Sequence, residues 1–173
     1  MPNLTEAHVD ITHGVTHRFL RALASARRLY LCVPLLSETP SMNINFYRLV
    51  HLELNACAEG WWEFFTQMLQ NSPKLASLKL TDEHDLIFPS KETPDCWKRP
   101  SSVPESLKAF AWSGYKGRRG DLNMAAYIMK NVTSLKTATI SPESDDSEAK
   151  YRMLKDLVSV LTPSSTSCQL LFD

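Results

Sequence analysis

The stretch Leu49-Val50-His51-Leu52-Glu53-Leu54-Asn55-Ala56-Cys57 decides the fold, because its apolar residues follow the repeat frame L-x-x-L-x-L-x-x-N/C. Cys57 approximates the Asn/Cys position that closes this frame. Leu52 and Leu54 alternate with polar residues, and a period of two is typical of a strand with one buried face. The stretch therefore predicts a short strand whose leucines face a core.

The apolar part of this frame, L-x-x-Φ-x-Φ with Φ apolar, recurs along the chain. It is found at Leu4-Ala7-Val9, Ala26-Leu29-Leu31, Leu75-Leu78-Leu80, Leu107-Phe110-Trp112 and Leu135-Ala138-Ile140. With 43% apolar residues, three chosen positions are all apolar about 8% of the time, so a triplet alone proves little. The spacing carries more weight. Successive frames start 22, 23, 26, 32 and 28 residues apart, mostly in or near the range of about 20–29 residues for leucine-rich repeats.

The segments between the frames contain apolar residues at helical spacing. The clearest stripe consists of Trp61, Trp62, Phe65, Met68 and Leu69. Its large rings could form an exposed anchor, but packing in a core is the favoured interpretation. Further helices are expected after Thr16, Asp121 and Ser147, with Pro163 ending the last of them.

This alternation of strands and helices predicts an α/β fold. The chain contains no Asn-Gly or Asp-Gly dipeptide, so tight hairpins between antiparallel strands are not expected. Parallel neighbours need crossover connections, which the helical segments supply. We therefore expect a leucine-rich-repeat-like solenoid with a curved parallel sheet and helices on the convex side.

Composition argues against several classes of function. The formal net charge is zero, without the basic excess that binders of nucleic acids or anionic membranes carry. Only 5 glycines are present, and no G-x-G-x-x-G or G-x-x-x-x-G-K-[ST] motif occurs, so no nucleotide or other cofactor is expected. The 4 cysteines form no C-x-x-C pair, and neither a leader pattern nor a membrane-spanning stretch is found. We expect an intracellular protein, cytoplasmic or nuclear, with no nucleic-acid or membrane partner.

The second half of the chain resembles a known plant module. The segment Trp97-Lys98-Arg99-Pro100-Ser101-Ser102-Val103-Pro104 has the pattern W-x-x-P-x-x-V-P, and the segments 110–117, 126–131 and 135–140 follow it. Together they resemble the FBD module of plant F-box/LRR proteins, although Ser106 stands where that family usually has Cys. The first half is similar to the leucine-rich repeats that precede this module. The resemblance implies leucine-rich repeats over residues 1–88 and an FBD module over 89–173 that continues the solenoid.

The resemblance also implies a function. In that family the F-box is similar to segments that dock onto a Skp-type adaptor of a cullin-based ubiquitin ligase, and the repeats are thought to present the substrate surface. No stretch of this sequence resembles an F-box, so we expect the C-terminal, recognition part only, and docking onto the adaptor is doubtful. The leading hypothesis is a non-catalytic protein-interaction module. The alternative is a substrate-recruiting subunit of an SCF-type ligase that docks without a recognisable F-box.

The predicted partner-binding surface is the concave face of the sheet. If Leu52 and Leu54 point into the core, the residues between them point outward. The same register in the other strands gives the candidate partner-binding residues Arg28, Tyr30, His51, Glu53, Asn55, Lys79, Thr81, Thr137 and Thr139. Their mixed charge suits a protein or peptide partner better than a polyanion.

No catalytic or metal-binding constellation is predicted. His13 and His17 have i,i+4 spacing but lack the Glu of H-E-x-x-H. The acidic run 82–85 is interpreted as a solvated turn after a strand. Lys116, Arg118 and Arg119 are interpreted as charges that keep a loop soluble. We therefore expect the chain not to be an enzyme.

Overall fold

The computed structural model describes residues 4–10, 17–33, 43–56, 61–82, 99–161 and 168–173. The strands in these ranges are β1 (Glu6–Asp10), β2 (Arg28–Val33), β3 (His51–Ala56), β4 (Ser77–Asp82), β5 (Ala109–Tyr115), β6 (Thr137–Pro142) and β7 (Gln169–Phe172). The helices are α1 (His17–Leu23), α2 (Trp61–Asn71), α3 (Arg119–Asn131) and α4 (Ser147–Leu161).

All of these strands lie in one open parallel sheet. Their order is β1-β2-β3-β4-β5-β6-β7, so each strand pairs with its neighbours in sequence. The repeat frames are aligned across the sheet, since Leu52 of β3 pairs with Leu29 on one side and with Leu78 on the other. The predicted α/β class and the parallel strands are confirmed, and each of the six frames supplies a strand.

The first residue of each internal frame sits in a recurring turn before its strand. The backbone N–H of Leu49 donates to the carbonyl oxygen of Phe46 at 3.1 Å, and Leu75 donates in the same way to Ser72 at 3.1 Å. Ala26, Leu107 and Leu135 repeat this bond to the residue three places earlier. Each of these five side chains is at most 2% exposed, which explains why an apolar residue recurs three places before the strand's first core position.

One face of the sheet forms the core. Leu52 and Leu54 are fully buried, and burial of such side chains stabilises the fold by roughly 1.5–3 kcal/mol each. Trp61, Phe64 and Phe65 of α2 belong to the same buried cluster, which confirms the core interpretation of the aromatic helix. The helices contribute to this one cluster, so they cover the face of the sheet on which the frame leucines lie.

One expected helix start is corrected, and two other expected helix boundaries lie outside the described residues. Asp121 was expected to precede its helix, but α3 begins at Arg119, so Asp121 lies in the first turn. The expected cap Thr16 and the expected stop Pro163 are outside the described residues. The predicted boundary between the two modules, at residues 88 and 89, stays a prediction. The strands on either side of it, β4 and β5, pair directly in the same sheet.

Candidate functional site

The face of the sheet opposite the core is called the open face. It is formed by the strand residues that alternate with the buried ones. These are Glu6, His8, Asp10, Arg28, Tyr30, Cys32, His51, Glu53, Asn55, Ser77, Lys79, Thr81, Ala109, Ala111, Ser113, Thr137, Thr139, Ser141, Gln169 and Leu171. All are half-buried or exposed, and all nine candidate partner-binding residues lie among them.

Three rings stand side by side across the first strands of the open face. His8 and Tyr30 are paired in register and stack with ring centroids 3.9 Å apart and planes at 4°. The ring of His51 follows at 5.5 Å from that of Tyr30, tilted by 50°. The Nε2 atom of His8 also contacts Oε1 of Glu6 at 2.9 Å. The contacts with His8 and His51 on its two sides hold the Tyr30 ring in place.

His51 is kept neutral by its surroundings. Partial burial lowers the pKa of His51 below 6.5, and the guanidinium of Arg28 lowers it further, with a smaller effect from Lys79. The carboxylates of Glu53 and Glu6 act in the opposite direction without cancelling the shift. At neutral pH the imidazole therefore offers one hydrogen-bond donor and one acceptor.

Charged and uncharged residues separate along the open face. Lys79 of β4 donates a 2.7 Å hydrogen bond to Oε1 of Glu53 on β3. Beyond Lys79, β5 and β6 present only small side chains, Ala109, Ala111 and Ser113 on β5 and Thr137, Thr139 and Ser141 on β6. Leu171 of β7, 40% exposed, lies past them. The face therefore has a charged, ring-bearing half over β1–β4 and a shallow neutral half over β5–β6.

Two parts of this face were missed at the sequence level. Glu6, His8 and Asp10 follow from the first repeat frame by the same alternation that gave Glu53, so the signal was present. Strand β7 (Gln169–Phe172) had no such signal. No apolar residue stands three places before its first apolar residue, so the repeat frame is absent there.

A second charged cluster lies on the core side, at the end of β4. Oδ1 of Asp82 accepts a hydrogen bond from Lys116 at 3.1 Å, and Oδ2 accepts one from Arg118 at 2.6 Å. Arg118 also donates to Asp121 from Nε at 2.9 Å and from Nη2 at 3.2 Å. Burial raises the pKa of Asp121, and its contacts with Arg118 oppose that shift.

This cluster corrects two sequence interpretations. The Asp82 side chain is 1% exposed and the Lys116 side chain 8% exposed, so neither is a solvated loop charge. The cations reach Asp82 from 34 and 36 residues further along the chain, a distance at which no local pattern indicates pairing. The other members of the acidic run, residues 83–85, and His13 lie outside the described residues, as does the side chain of His17.

The carboxylates of the buried cluster are already paired with guanidinium and ammonium groups, and no nucleophile lies within this set of contacts. Within the described ranges, no three His, Cys, Asp or Glu side chains are placed to hold a metal ion. The helices described are all too short or too polar to cross a membrane.

Comparisons with known proteins point to one plant family. The FBD family profile matches residues 98–140. An Arabidopsis thaliana F-box/FBD/LRR-repeat protein is 57% identical over 178 aligned residues, which cover 100% of this chain and 42% of the relative. A putative F-box/FBD/LRR-repeat protein from the same plant is 46% identical, over 100% of this chain and 41% of its own length. A third such protein from Arabidopsis thaliana is 39% identical over the same shares.

These relatives are much longer than the chain. The chain spans about two-fifths of their length and corresponds to their C-terminal part. No solved structure matches it.

Proposed function

Because the chain is similar over its whole length to plant F-box/FBD/LRR-repeat proteins, we propose that it is a non-catalytic protein-interaction module whose open face receives a partner protein. We also propose that the sheet is the concave surface of a leucine-rich-repeat solenoid with the helices on its convex side. The sequential order of parallel strands and the turn that recurs before each of the strands β2–β6 support this arrangement.

The observation that carries the proposal is the contrast between the two faces of one sheet. The core face is covered by helices, while the open face carries half-buried side chains over the whole width of the sheet. Its residues include Tyr30 and Arg28, the types that most often dominate binding energy at protein interfaces. Its polar groups are spread over seven strands, roughly 30 Å at about 4.8 Å per strand, which suits an extended protein surface.

A second candidate function is a substrate-recruiting subunit of a cullin-based, SCF-type ubiquitin ligase. The relatives that match the whole chain are F-box/FBD/LRR-repeat proteins by name, and this favours a role beside such a ligase. In that case the open face binds the substrate, and a Skp-type adaptor is a further partner. For both candidates we propose an intracellular location, in the cytoplasm or nucleus, and no cofactor.

Photo-crosslinking tests the use of the open face. A photoreactive phenylalanine analogue replaces Tyr30 or Thr139 on the open face, or Arg152, an exposed residue of α4, as the matched control. Each purified full chain is irradiated in plant extract, and crosslinked proteins are identified by mass spectrometry. We expect the same partner to be captured from both open-face positions and not from the control. Capture from position 152 alone would contradict the proposal.

Co-purification separates the two candidates. The tagged chain is expressed in plant cells and recovered with its bound proteins. Stoichiometric recovery of a Skp-type adaptor and a cullin supports the ligase subunit. Recovery of the crosslinked partner without either component supports the interaction module.

A further inference from the structure

A further exposed surface lies at the edge of the sheet where the strands begin. It is formed by the recurring turns that precede β2–β6, and it is called the turn edge. The turns comprise residues 23–27, 46–50, 72–76, 104–108 and 132–136. Because neighbouring strands are parallel and in register, these turns lie side by side along one edge of the sheet.

Each of these turns carries one exposed cation. The cations are Arg27, Arg48, Lys74, Lys108 and Lys136. Lys136 follows Lys108 directly on the next strand, since its backbone N–H donates to the carbonyl oxygen of Lys108 at 2.8 Å. Consecutive strands from β2 to β6, at about 4.8 Å per strand, make this row of cations roughly 19 Å long.

Few carboxylates lie among these cations. Within the turns themselves, all of which the structure describes, Glu105 is the only acidic residue. At the β1 end of the edge, Arg28 and Glu6 lie in register and offset each other. Most cations of the row form no ion pair within the part of the chain that the structure describes, namely Arg27, Lys74, Lys108 and Lys136. The turn edge therefore carries a net positive charge.

The formal net charge of zero conceals an uneven distribution of charge. Arg21 and Lys130 lie in the last turns of α1 and α3, which end where the turns begin, so they add to the positive charge at this edge. The exposed carboxylates of Asp145, Asp146 and Glu148 follow β6, at the opposite edge of the sheet. Charges separated in this way orient an anionic partner toward the turn edge.

We propose that the turn edge binds an extended acidic segment of a partner protein, whose carboxylates lie along the row of cations. A segment of about six residues, at roughly 3.3 Å per residue, spans this row. Tyr47, which is 60% exposed and precedes Arg48 in its turn, offers the segment an aromatic contact. The turn edge is separate from the core-opposed open face, so this inference goes beyond the proposed function and does not depend on it.

A protein segment fits this edge better than a nucleic acid does. A nucleic acid carries a negative charge at every phosphate and would meet Glu105 with a like charge. A protein segment can place an uncharged or basic residue opposite Glu105. The chain also lacks the overall basic excess that is typical of nucleic-acid binders. Each exposed pair of charges is weak by itself, so binding requires several pairs at once and weakens with salt.

Titration with a model acidic peptide tests the proposal. The probe is a labelled peptide of about 12 residues in which Glu and Ser alternate, and the reference peptide has Gln in place of Glu. Fluorescence anisotropy follows binding to the full chain at about 50 mM and about 200 mM NaCl. We expect the Glu peptide to bind more tightly than the Gln peptide, and its affinity to fall roughly 5-fold at the higher salt concentration.

Charge reversal shows whether the row of cations is responsible. Lys108→Glu combined with Lys136→Glu is expected to weaken binding of the Glu peptide at least about 10-fold. The matched control combines Arg152→Glu with Lys155→Glu, which makes the same change in charge at exposed positions of α4. It is expected to weaken binding less than about 3-fold. Circular dichroism checks that both variants are folded.

Photo-crosslinking locates the bound peptide. A photoreactive phenylalanine analogue replaces Tyr47 at the turn edge or, as the matched control, Tyr151 on α4. These tyrosines are 60% and 64% exposed, so their accessibility is nearly equal. We expect the Glu peptide to be crosslinked from position 47 and not from position 151.

Several results would overturn the proposal. These are equal binding of the two peptides, equal losses for the two charge-reversed variants, and crosslinking from position 151 alone. Tighter binding of an oligothymidylate of about 12 nucleotides than of the Glu peptide would assign the edge to nucleic acid instead. Self-association in sedimentation velocity that Lys108→Glu with Lys136→Glu removes would make a second copy the occupant, through its acidic segment 143–148.

Discussion

The buried cluster around Asp82 leads to a quantitative prediction about stability. Asp82→Asn keeps the shape of the side chain and removes its charge. Arg118 retains its side-chain contacts with Asp121, while Lys116 loses its 3.1 Å contact with a buried carboxylate. The carboxylate of Glu143, another described residue, lies 3.8 Å from the Lys116 ammonium and is 45% exposed.

The expected loss follows from the burial of these groups. Removing one partner of a buried ion pair costs about 3–5 kcal/mol, because the other charge stays out of water without compensation. This range applies here, since the Asp82 side chain is 1% exposed and the Lys116 side chain 8% exposed. For a chain of this length each kcal/mol shifts the melting temperature by roughly 2–4 °C, so Asp82→Asn is expected to lower it by roughly 6–20 °C.

Glu143→Gln is the matched control. It changes a carboxylate near the same ammonium, but one that is nearly half exposed and more distant, so its loss is expected to be about 0–1 kcal/mol. Urea denaturation followed by circular dichroism gives both free energies of unfolding. Combining Asp82→Asn with Lys116→Met is expected to restore part of the loss, since the buried cation that paired with Asp82 is then also removed. Equal, small losses for Asp82→Asn and Glu143→Gln would refute the reasoning.

Further predictions concern the core, the backbone and one titrating group. Leu54→Ala is expected to lower the free energy of unfolding by about 2–5 kcal/mol in urea denaturation; a loss below about 1 kcal/mol would mean that the core register is wrong. Gly114→Ala is expected to lower the melting temperature more than Gly117→Ala. Both glycines have positive φ, but a Cβ added at Gly114 would lie 2.5 Å from a backbone oxygen of β4, whereas one added at Gly117 would meet a flexible methionine side chain. Equal effects of the two substitutions would contradict this reasoning. Because burial and Arg28 lower the pKa of His51, the unfolded chain binds more protons just below pH 6.5, and the contribution of His51 to stability falls as the pH decreases. Arg28→Ala should raise the pKa of His51 in an NMR titration, and an unchanged value would exclude this electrostatic effect.

The repeat frames were sufficient to predict strands β1–β6 of the sheet and the open face over its middle strands. A period of two within each frame places Glu53 and Lys79 on the same side, and parallel neighbours align them in register. These are consequences of short-range sequence patterns that repeat. The turn before each of the strands β2–β6 is likewise local, since its hydrogen bond joins residues three places apart.

Cross-strand geometry was beyond such patterns. The stack of His8 on Tyr30 joins residues 22 positions apart, and it depends on the side-chain rotamers that neighbouring strands allow. The pairing of Asp82 with Lys116 joins different repeats in the same way. An acidic residue at the end of a strand is most often solvated. Its burial can therefore be recognised only from the three-dimensional positions of the cations that pair with it.

The segment that matches the FBD profile depends on residues that precede it. Lys116, Arg118 and Asp121 lie within residues 98–140, but the anion that neutralises Lys116 is Asp82, at the end of β4. Strand β5 also takes its hydrogen-bonding partner from β4, and the hydroxyl of Ser106 donates to the carbonyl oxygens of Pro73 and Leu75 at 3.1 and 2.9 Å. Separated from β4, this segment would expose one edge of β5 and remove the Asp82 carboxylate from Lys116 and Arg118, and both changes cost free energy. The profile boundary therefore marks a change in sequence pattern within one continuous sheet and one continuous core.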